Sequence, residues 1–215
     1  MSMLFSEHEM RGYWPWPELE AGAYDFIMAD PPWSFELWSP APRGRLDEGE
    51  SHGAYQKSPQ SHYATMTLDD IKRLSVAGLA ASDCLLWLWA TALMLHEQIA
   101  VLDHWGFAFK TSGVWVKTTV NNKIGFGTGY VLRNAHEPFL IGTRGNPVTS
   151  RSVRSVVMGR VREHSQKPEE SYLAAEALMP GARRVELFSR TNRPGWQAWG
   201  NETGLFGEAT ATGAA

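Results

Sequence analysis

Apolar residues occur along the chain in short runs that alternate with segments of helical spacing. Residues Tyr24–Ala29 form an apolar run that ends at Asp-Pro-Pro, which predicts a buried strand because proline cannot continue a β-ladder. A second apolar run, at residues 84–90, predicts another buried strand. The last strand of the chain is expected at residues 184–189. Residues 107–118 predict one or two strands, and the remaining predicted strands are residues 138–142 and 153–161.

Three segments predict helices. The first, residues 67–79, opens with Thr67 as a cap and has two acids in its first turn. The second, residues 91–105, ends before a glycine, and the third opens at Pro168 and stops at a Pro-Gly pair. Strands that alternate with helices need crossover connections, so the sequence predicts an α/β fold with a largely parallel sheet flanked by helices.

The length of 215 residues suits a single domain, which we place at residues 1–202, with a flexible tail at residues 203–215. Two long segments, residues 33–61 and 119–133, are rich in proline, glycine, serine and charge, and both follow predicted strands. Ligands bind beyond the carboxyl ends of strands in open parallel sheets. We therefore expect these two segments to frame one site.

The formal net charge of -3 excludes a uniformly basic nucleic-acid binder, but the charge is unevenly distributed. Residues 144–162 contain five arginines and no acid. These arginines are Arg144, Arg151, Arg154, Arg160 and Arg162. They either neutralise phosphates, with Arg154 as a substrate contact, or form a solvated face of strand and loop.

The counts of cysteine, histidine and tryptophan narrow the chemistry further. The single cysteine, Cys84, lies in an apolar run, which predicts a buried small residue and excludes an internal disulfide. The seven histidines are scattered without metal-ligand spacing, so no metal site is predicted. Ten tryptophans exceed the usual need of one core, which suggests that some rings stack on a ligand. No apolar window reaches the length of a membrane span and no signal pattern is present, so we expect a cytoplasmic protein.

The motif with the clearest chemistry is Asp30-Pro31-Pro32-Trp33, directly after the first buried strand. The two prolines fix the backbone, so the carboxylate and the neighbouring carbonyl oxygens are held rigidly. These acceptors suit the hydrogens of a planar amine, while the tryptophan ring stacks on the attached ring system. The alternative interpretation of Asp-Pro-Pro alone is a strand capped by prolines.

The run Tyr24 to Trp33 resembles the signature of the S-adenosylmethionine-dependent N6-adenine methyltransferases of the MT-A70 family. The resemblance continues in family order through most of the chain, from about residue 24 to 202. The further blocks are residues 63–66, 86–89, 115–117, 127–129, 137–145, 164–168, 186–190 and 195–201.

The resemblance implies a Rossmann-like class I methyltransferase fold and S-adenosylmethionine as the cofactor. It also implies a reaction in which the exocyclic N6 of adenine attacks the sulfonium methyl group in line. Asp30 and the carbonyl group of Pro31 would orient the amine and favour its nucleophilic geometry, which is positional and electrostatic catalysis. Pro32 and Trp33 complete the implied catalytic motif.

Other site residues are implied by the same resemblance. Tyr63 borders the target base, and Glu137 lies near the substrate. Lys167 is expected near the methionine part of the cofactor, which Asp30 also contacts. The residues expected at the cofactor's ribose and adenine are Arg190, Asn192, Asn201 and Glu202.

We expect a methyltransferase that acts on adenine in nucleic acid, with DNA preferred to RNA because no zinc finger or RNA-binding module is apparent. The partner is therefore DNA or RNA that contains adenine, without a membrane, and the enzyme is expected to be a monomer or homodimer. A duplex target would have to be flipped out to reach Asp30. The alternatives are an RNA adenosine methyltransferase, a non-catalytic nucleic-acid-binding subunit on the same fold, and a methyltransferase for small-molecule or protein amines.

Overall fold

The computed structural model describes residues 14–34, 65–127, 129, 131–162, 166–201, 203 and 205. Within these residues, strands of one sheet alternate with three α-helices. The helices are α1 (Leu68–Arg73), α2 (Leu95–His104) and α3 (Glu169–Leu178). The strands are β1 (Tyr24–Ala29), β2 (Ala80–Trp89), β3 (Ala108–Thr118), β4 (His136–Arg144), β5 (Val156–Arg160), β6 (Arg184–Leu187) and β7 (Trp196–Trp199).

The described strands lie in the order β5-β3-β4-β2-β1-β6-β7. β1 pairs in parallel with β2 and β6, β3 pairs in parallel with β5, and β6 pairs in parallel with β7. Only β4 is reversed, and it runs antiparallel to β2 and β3. The predicted α/β class and largely parallel sheet are therefore confirmed.

The first predicted helix is shorter than the sequence suggests. Thr67 caps α1 as expected, since its Oγ1 accepts from the Asp70 N–H at 3.1 Å. The helix ends at Arg73, and a 3₁₀ turn at Val76–Gly78 follows. Distant donors bind carbonyl groups of the segment after α1. One of them is Trp16 Nε1, which donates to Ser75 O at 3.3 Å. These tertiary contacts replace the helical hydrogen bonds that the spacing predicted.

Two other boundaries differ from the sequence prediction. α2 begins at Leu95 after a 3₁₀ turn, and the Thr91 N–H donates to Gln98 Oε1 at 3.0 Å instead of opening an α-helix. The expectation that residues 184–189 form the last strand is wrong, because β7 follows. Phe188, directly after β6, has a left-handed φ of 64°. The chain then comes back to the sheet, where the four residues of β7 pair with β6.

Two apolar clusters cover the two faces of the sheet. One contains residues of α1 and α2 with Trp16 and Trp105, and the other contains α3 with Trp87 and Trp89. Trp87 stacks on Phe139 with ring centroids 3.8 Å apart, which confirms its predicted core position. Burial on both faces explains why β1 and β2 appear in the sequence as continuous apolar runs.

The single cysteine is also part of this core, as predicted. Cys84 lies in β2 and is fully buried. Desolvation and, to a lesser extent, the charge of Asp25 raise the pKa of its thiol to about 12. The thiolate required of a nucleophile is therefore suppressed, and Cys84 serves in packing.

Gly113 allows β3 to pass close to its neighbours. A Cβ atom at this position would lie 2.6 Å from Ser155 O and closer still to the Phe139 ring. Gly113→Ala should lower the free energy of unfolding by about 1–3 kcal/mol because the strand and the ring must shift. Urea denaturation measures the change, with Ser112→Ala at the neighbouring exposed position as the control. Equal stability of the two variants would contradict the prediction.

Candidate functional site

The functional side chains gather at one edge of the sheet because of the strand directions. β1, β2, β3, β5 and β6 all end at this edge, and the reversed β4 begins there. Asp30 follows β1, Lys117 lies near the end of β3, and Glu137 lies at the start of β4. Lys167 lies just before α3. The antiparallel strand thus contributes its amino end to the carboxyl edge of its neighbours.

Lys167 connects two carboxylates at this edge. Its Nζ lies 2.9 Å from Asp30 Oδ2 and forms an ion pair with Glu137 Oε1. Lys117 Nζ contacts the other oxygen of Glu137 at 3.0 Å. The Lys167 side chain is 7% exposed and its ammonium lies 4.9 Å from the centre of the Trp89 ring. We call the four charged residues Asp30, Lys117, Glu137 and Lys167 the edge cluster.

Burial and ion pairing shift the pKa values of the edge cluster in opposite directions. Desolvation raises the pKa of Asp30, while the Lys167 ammonium counteracts the rise. Desolvation would also raise the pKa of Glu137, but Lys167 and Lys117 together hold it below its ordinary value. The same two carboxylates raise the pKa of Lys167 against its own burial. Lys167 therefore stays charged and favours the ionised form of both acids.

The Asp30-Pro31-Pro32-Trp33 turn is anchored by hydrogen bonds on both sides. The Asp30 N–H donates to Leu187 O at 3.3 Å, and Pro32 O accepts from the Met66 N–H at 3.0 Å. Pro31 O accepts from the Trp33 N–H at 2.8 Å and retains a second lone pair for a further donor. This network fixes the direction of the carboxylate and of the Pro31 carbonyl group.

The Trp33 ring has a structural role in this arrangement. It is 6% exposed, and its Nε1 donates to Trp89 O at 3.2 Å. The buried ring anchors the turn to the end of β2 and presents little surface to a ligand. Its stacking on a target base stays a prediction.

A third carboxylate, Glu186 in β6, is 5% exposed below the same edge. Its two oxygens accept from Tyr172 Oη and Ser189 Oγ, each at 2.7 Å. Desolvation is the main cause that raises the pKa of Glu186 to about 7, and the charge of Asp30 adds to the rise. The sequence reasoning gave this residue no role, although a single acid in an apolar strand was the available signal.

Arg193 links the segment after β6 to α3 through ion pairs. Its guanidinium contacts Glu169 Oε1 at 2.6 Å and Glu176 Oε1 at 2.9 Å, and Glu176 also accepts from Trp196 Nε1 at 2.9 Å. Arg193 is only 11% exposed, and its guanidinium lies 4.9 Å from the centre of the Tyr172 ring. The segment that carries Arg190 and Asn192 is therefore joined to the helix that begins beside Lys167. Sequence reasoning missed this contact too.

The other predicted site residues divide into three groups. Arg190 and Asn192 follow β6, and Asn201 follows β7, so all three lie at the carboxyl edge. Arg154 precedes β5 and lies toward the opposite end of that strand from the edge cluster, so the structure does not bring it to Asp30. Its contact with substrate stays a prediction. The two residues that lie outside the described part of the chain are Tyr63 and Glu202.

Two negative findings hold for the described ranges. They contain no group of three or more His, Cys, Asp or Glu side chains that could hold a metal ion. None of their helices has the length and apolar character needed to span a bilayer.

A mostly parallel sheet flanked by helices, with charged groups at its carboxyl edge, is the architecture of Rossmann-like methyltransferases. The MT-A70 family model matches residues 24–202 of this chain. The chain therefore belongs to the MT-A70 family.

Individual relatives give the extent of the similarity. N(6)-adenosine-methyltransferase MT-A70-like of Arabidopsis thaliana is 32% identical over 186 residues, which are 84% of this chain and 24% of the relative. The human N(6)-adenosine-methyltransferase catalytic subunit METTL3 is 31% identical over 187 residues, 84% of this chain and 28% of the relative. Type II methyltransferase M.MunI of Mycoplasma sp is 29% identical over 193 residues, 86% of this chain and 80% of the relative. The chain thus spans about a quarter of the length of the adenosine methyltransferases.

The Lys167 ion pairs should make a large contribution to stability. Lys167→Met should lower the free energy of unfolding at neutral pH by up to about 3–5 kcal/mol because two partly buried carboxylates lose their common partner. Lys117→Met is the matched control, and it should cost about 1 kcal/mol or less because Lys117 is 28% exposed and contacts only Glu137 in this cluster. Urea denaturation of both variants measures the difference, and equal losses would contradict the prediction.

Glu186 should impose a pH dependence on stability. Its pKa rises from 4.5 to about 7 on folding, so the folded protein retains a proton that the unfolded chain has released. Stability should therefore fall as the pH rises from 4.5 to 7, by about 3 kcal/mol relative to Glu186→Gln. Urea denaturation across this pH range measures the difference. Glu18→Gln, at an exposed position, should follow the wild type, and a Glu186→Gln profile parallel to wild type would refute the assignment.

Proposed function

We propose that this protein transfers a methyl group from S-adenosylmethionine to the N6 amine of adenine in nucleic acid, with DNA preferred to RNA. The observation that carries the proposal is Asp30, held at the end of β1 by the rigid proline turn and by Lys167 at 2.9 Å. The names of the Arabidopsis and human relatives give N6 of adenosine as the methylated position. Family membership supports the same activity here.

The chemistry of adenine N6 needs acceptors at fixed positions. The lone pair of an aromatic amine is delocalised into its ring, so the amine is a weak nucleophile until its geometry changes. The Asp30 carboxylate and the second lone pair of Pro31 O would accept the two amine hydrogens and orient the nitrogen. Because Lys167 favours the charged form of Asp30, the carboxylate is available as an acceptor.

The edge cluster fits the charged end of S-adenosylmethionine. The amino acid part of that cofactor carries an ammonium and a carboxylate, and Asp30 and Lys167 offer the two opposite charges side by side at 2.9 Å. Arg190, Asn192 and Asn201, at the ends of the adjacent strands β6 and β7, would bind its ribose and adenine. When bound, the cofactor supplies an electrophilic methyl group. Asp30 would hold the amine in line with it.

Arg193 and Glu186 would hold this cofactor surface together. Arg193 joins the segment of Arg190 to α3, and Glu186 joins the same segment to α3 through Ser189 and Tyr172. The two ends of the cofactor would thus bind to parts of one rigid unit. Such preorganisation lowers the entropy lost on binding.

Asp30→Asn tests the proposal directly. Methyl transfer from labelled S-adenosylmethionine to DNA and RNA oligonucleotides of the same sequence should fall at least about 100-fold, because the charged acceptor is lost while the shape is kept. Asp25→Asn, at the other end of β1, is the control and should retain wild-type activity. Full activity of Asp30→Asn would refute the catalytic assignment.

The wild-type results separate the remaining alternatives. Labelling of RNA alone would reverse the substrate preference. Calorimetric titration with S-adenosylmethionine should give binding heat, whereas a non-catalytic subunit should give none.

A further inference from the structure

A cavity of about 500 Å³ lies beyond the ends of β3 and β5, beside the start of α3. Its volume falls in the range of sites for small molecules. The polar and charged residues that line it include Thr118, Asn122, Arg160, Arg162, Glu169 and Glu170.

The cavity adjoins the edge cluster. Thr118 directly follows Lys117, and Glu169 lies two residues after Lys167. Both the β3 side and the α3 side of the cavity are therefore close along the chain to residues of the edge cluster. Trp115 Nε1 donates to Gly159 O at 2.9 Å and fixes the wall formed by β5. The cavity and Asp30 therefore open at the same edge of the sheet.

Two of the five arginines in residues 144–162 line this cavity. The Val161 N–H donates to Thr118 O at 3.1 Å, so the extended conformation continues beyond the end of β5. Arg160 and Arg162, two positions apart on an extended chain, lie on the same face, and both are exposed. Guanidinium groups in this arrangement match a phosphate group. Arg144, by contrast, lies at the far end of β4 and donates to Ala77 O at 2.7 Å.

The opposite wall supplies hydrogen-bond acceptors. Glu169 is held by Arg193 at 2.6 Å. Glu170 lies against β5, since a Cβ atom on Gly159 would meet Glu170 Oε2 at 2.7 Å and Pro168 Cβ at 2.5 Å. The glycine thus lets α3 begin directly against the strand and brings a carboxylate into the same cavity as the two arginines. A ligand that fits both walls has a phosphate at one end and an amine at the other.

We propose that this cavity binds the nucleotide next to the target adenine and selects for a base with an exocyclic amine. Arg160 and Arg162 bind its phosphate, and Glu170 accepts a hydrogen bond from the amine, which cytosine has and thymine lacks. This inference rests on the proposed function, because it requires the target adenine at Asp30. It assigns Arg160 and Arg162 to one nucleotide and gives the site a sequence preference.

The phosphate contacts are tested by the salt dependence of binding. Anisotropy of labelled single-stranded oligonucleotides with one adenine is measured over a salt series with S-adenosylhomocysteine present, so that no turnover occurs. Arg160→Gln and Arg162→Gln should each reduce the slope of log K against log salt by ~0.7, and the double variant by twice that amount. Arg183→Gln, at the opposite edge of the sheet, should keep the wild-type slope. A wild-type slope in the double variant would overturn the proposal.

The base contact is tested by the sequence preference. The wild type should bind oligonucleotides with cytosine on either side of the adenine several-fold more tightly than those with thymine. Glu170→Ala should bring the two affinities close together, while its thermal unfolding curve shows that it is folded. An unchanged cytosine-to-thymine ratio in this variant would contradict the base contact.

Methyl transfer by the wild type to the same oligonucleotides tests the proposed function separately. Active wild type with unchanged slopes and ratios in the variants overturns the cavity assignment alone. Inactive wild type overturns the proposed function, while the slopes and ratios still show whether the cavity binds a nucleotide.

Discussion

The ion pairs of Lys167 with Asp30 and Glu137 impose the strictest constraint on this structure. A buried ammonium costs several kcal/mol unless it is paired, so Lys167 must meet its two carboxylate partners. Their meeting requires the end of β1, the start of β4 and the start of α3 to lie together. A parallel β4 would place Glu137 at the opposite edge, away from Lys167. The one reversed strand of the described sheet is thus linked to the charge balance of the site.

The sequence predicted the fold well where burial on both faces produced long apolar runs, as in β1 and β2. It failed where tertiary contacts override local preference. The helix expected at residues 67–79 ends early because donors from distant parts of the chain take the carbonyl groups of Ser75 and Ala77. β7 was missed because four residues with one glutamine carry too little periodicity to predict a strand.

The site was predictable as a set of residues but not as a set of contacts. Asp30, Glu137 and Lys167 were found through motifs, yet nothing in their positions along the chain shows that one lysine contacts both acids. Arg193 was missed because its partners lie 17 and 24 residues away on a helix. The arginines of residues 144–162 also separate in space, since the direction of β5 brings Arg160 toward the site and leaves Arg154 near the other end. The different positions of these two arginines follow from the direction of the strand, which the sequence alone does not give.

Asp30 and Glu186 show how one edge of a sheet gives two carboxylates different roles. Asp30 faces the Lys167 ammonium, which favours its charged form against desolvation. Glu186 faces the hydroxyl groups of Tyr172 and Ser189, which lower its pKa, but desolvation is the larger effect and the pKa reaches about 7. The negative charge of Asp30 adds to the raised pKa of Glu186. Asp30 thus has a cationic partner where an acceptor for the amine is needed, whereas the Glu186 carboxylate has hydroxyl partners that tie β6 and the segment after it to α3.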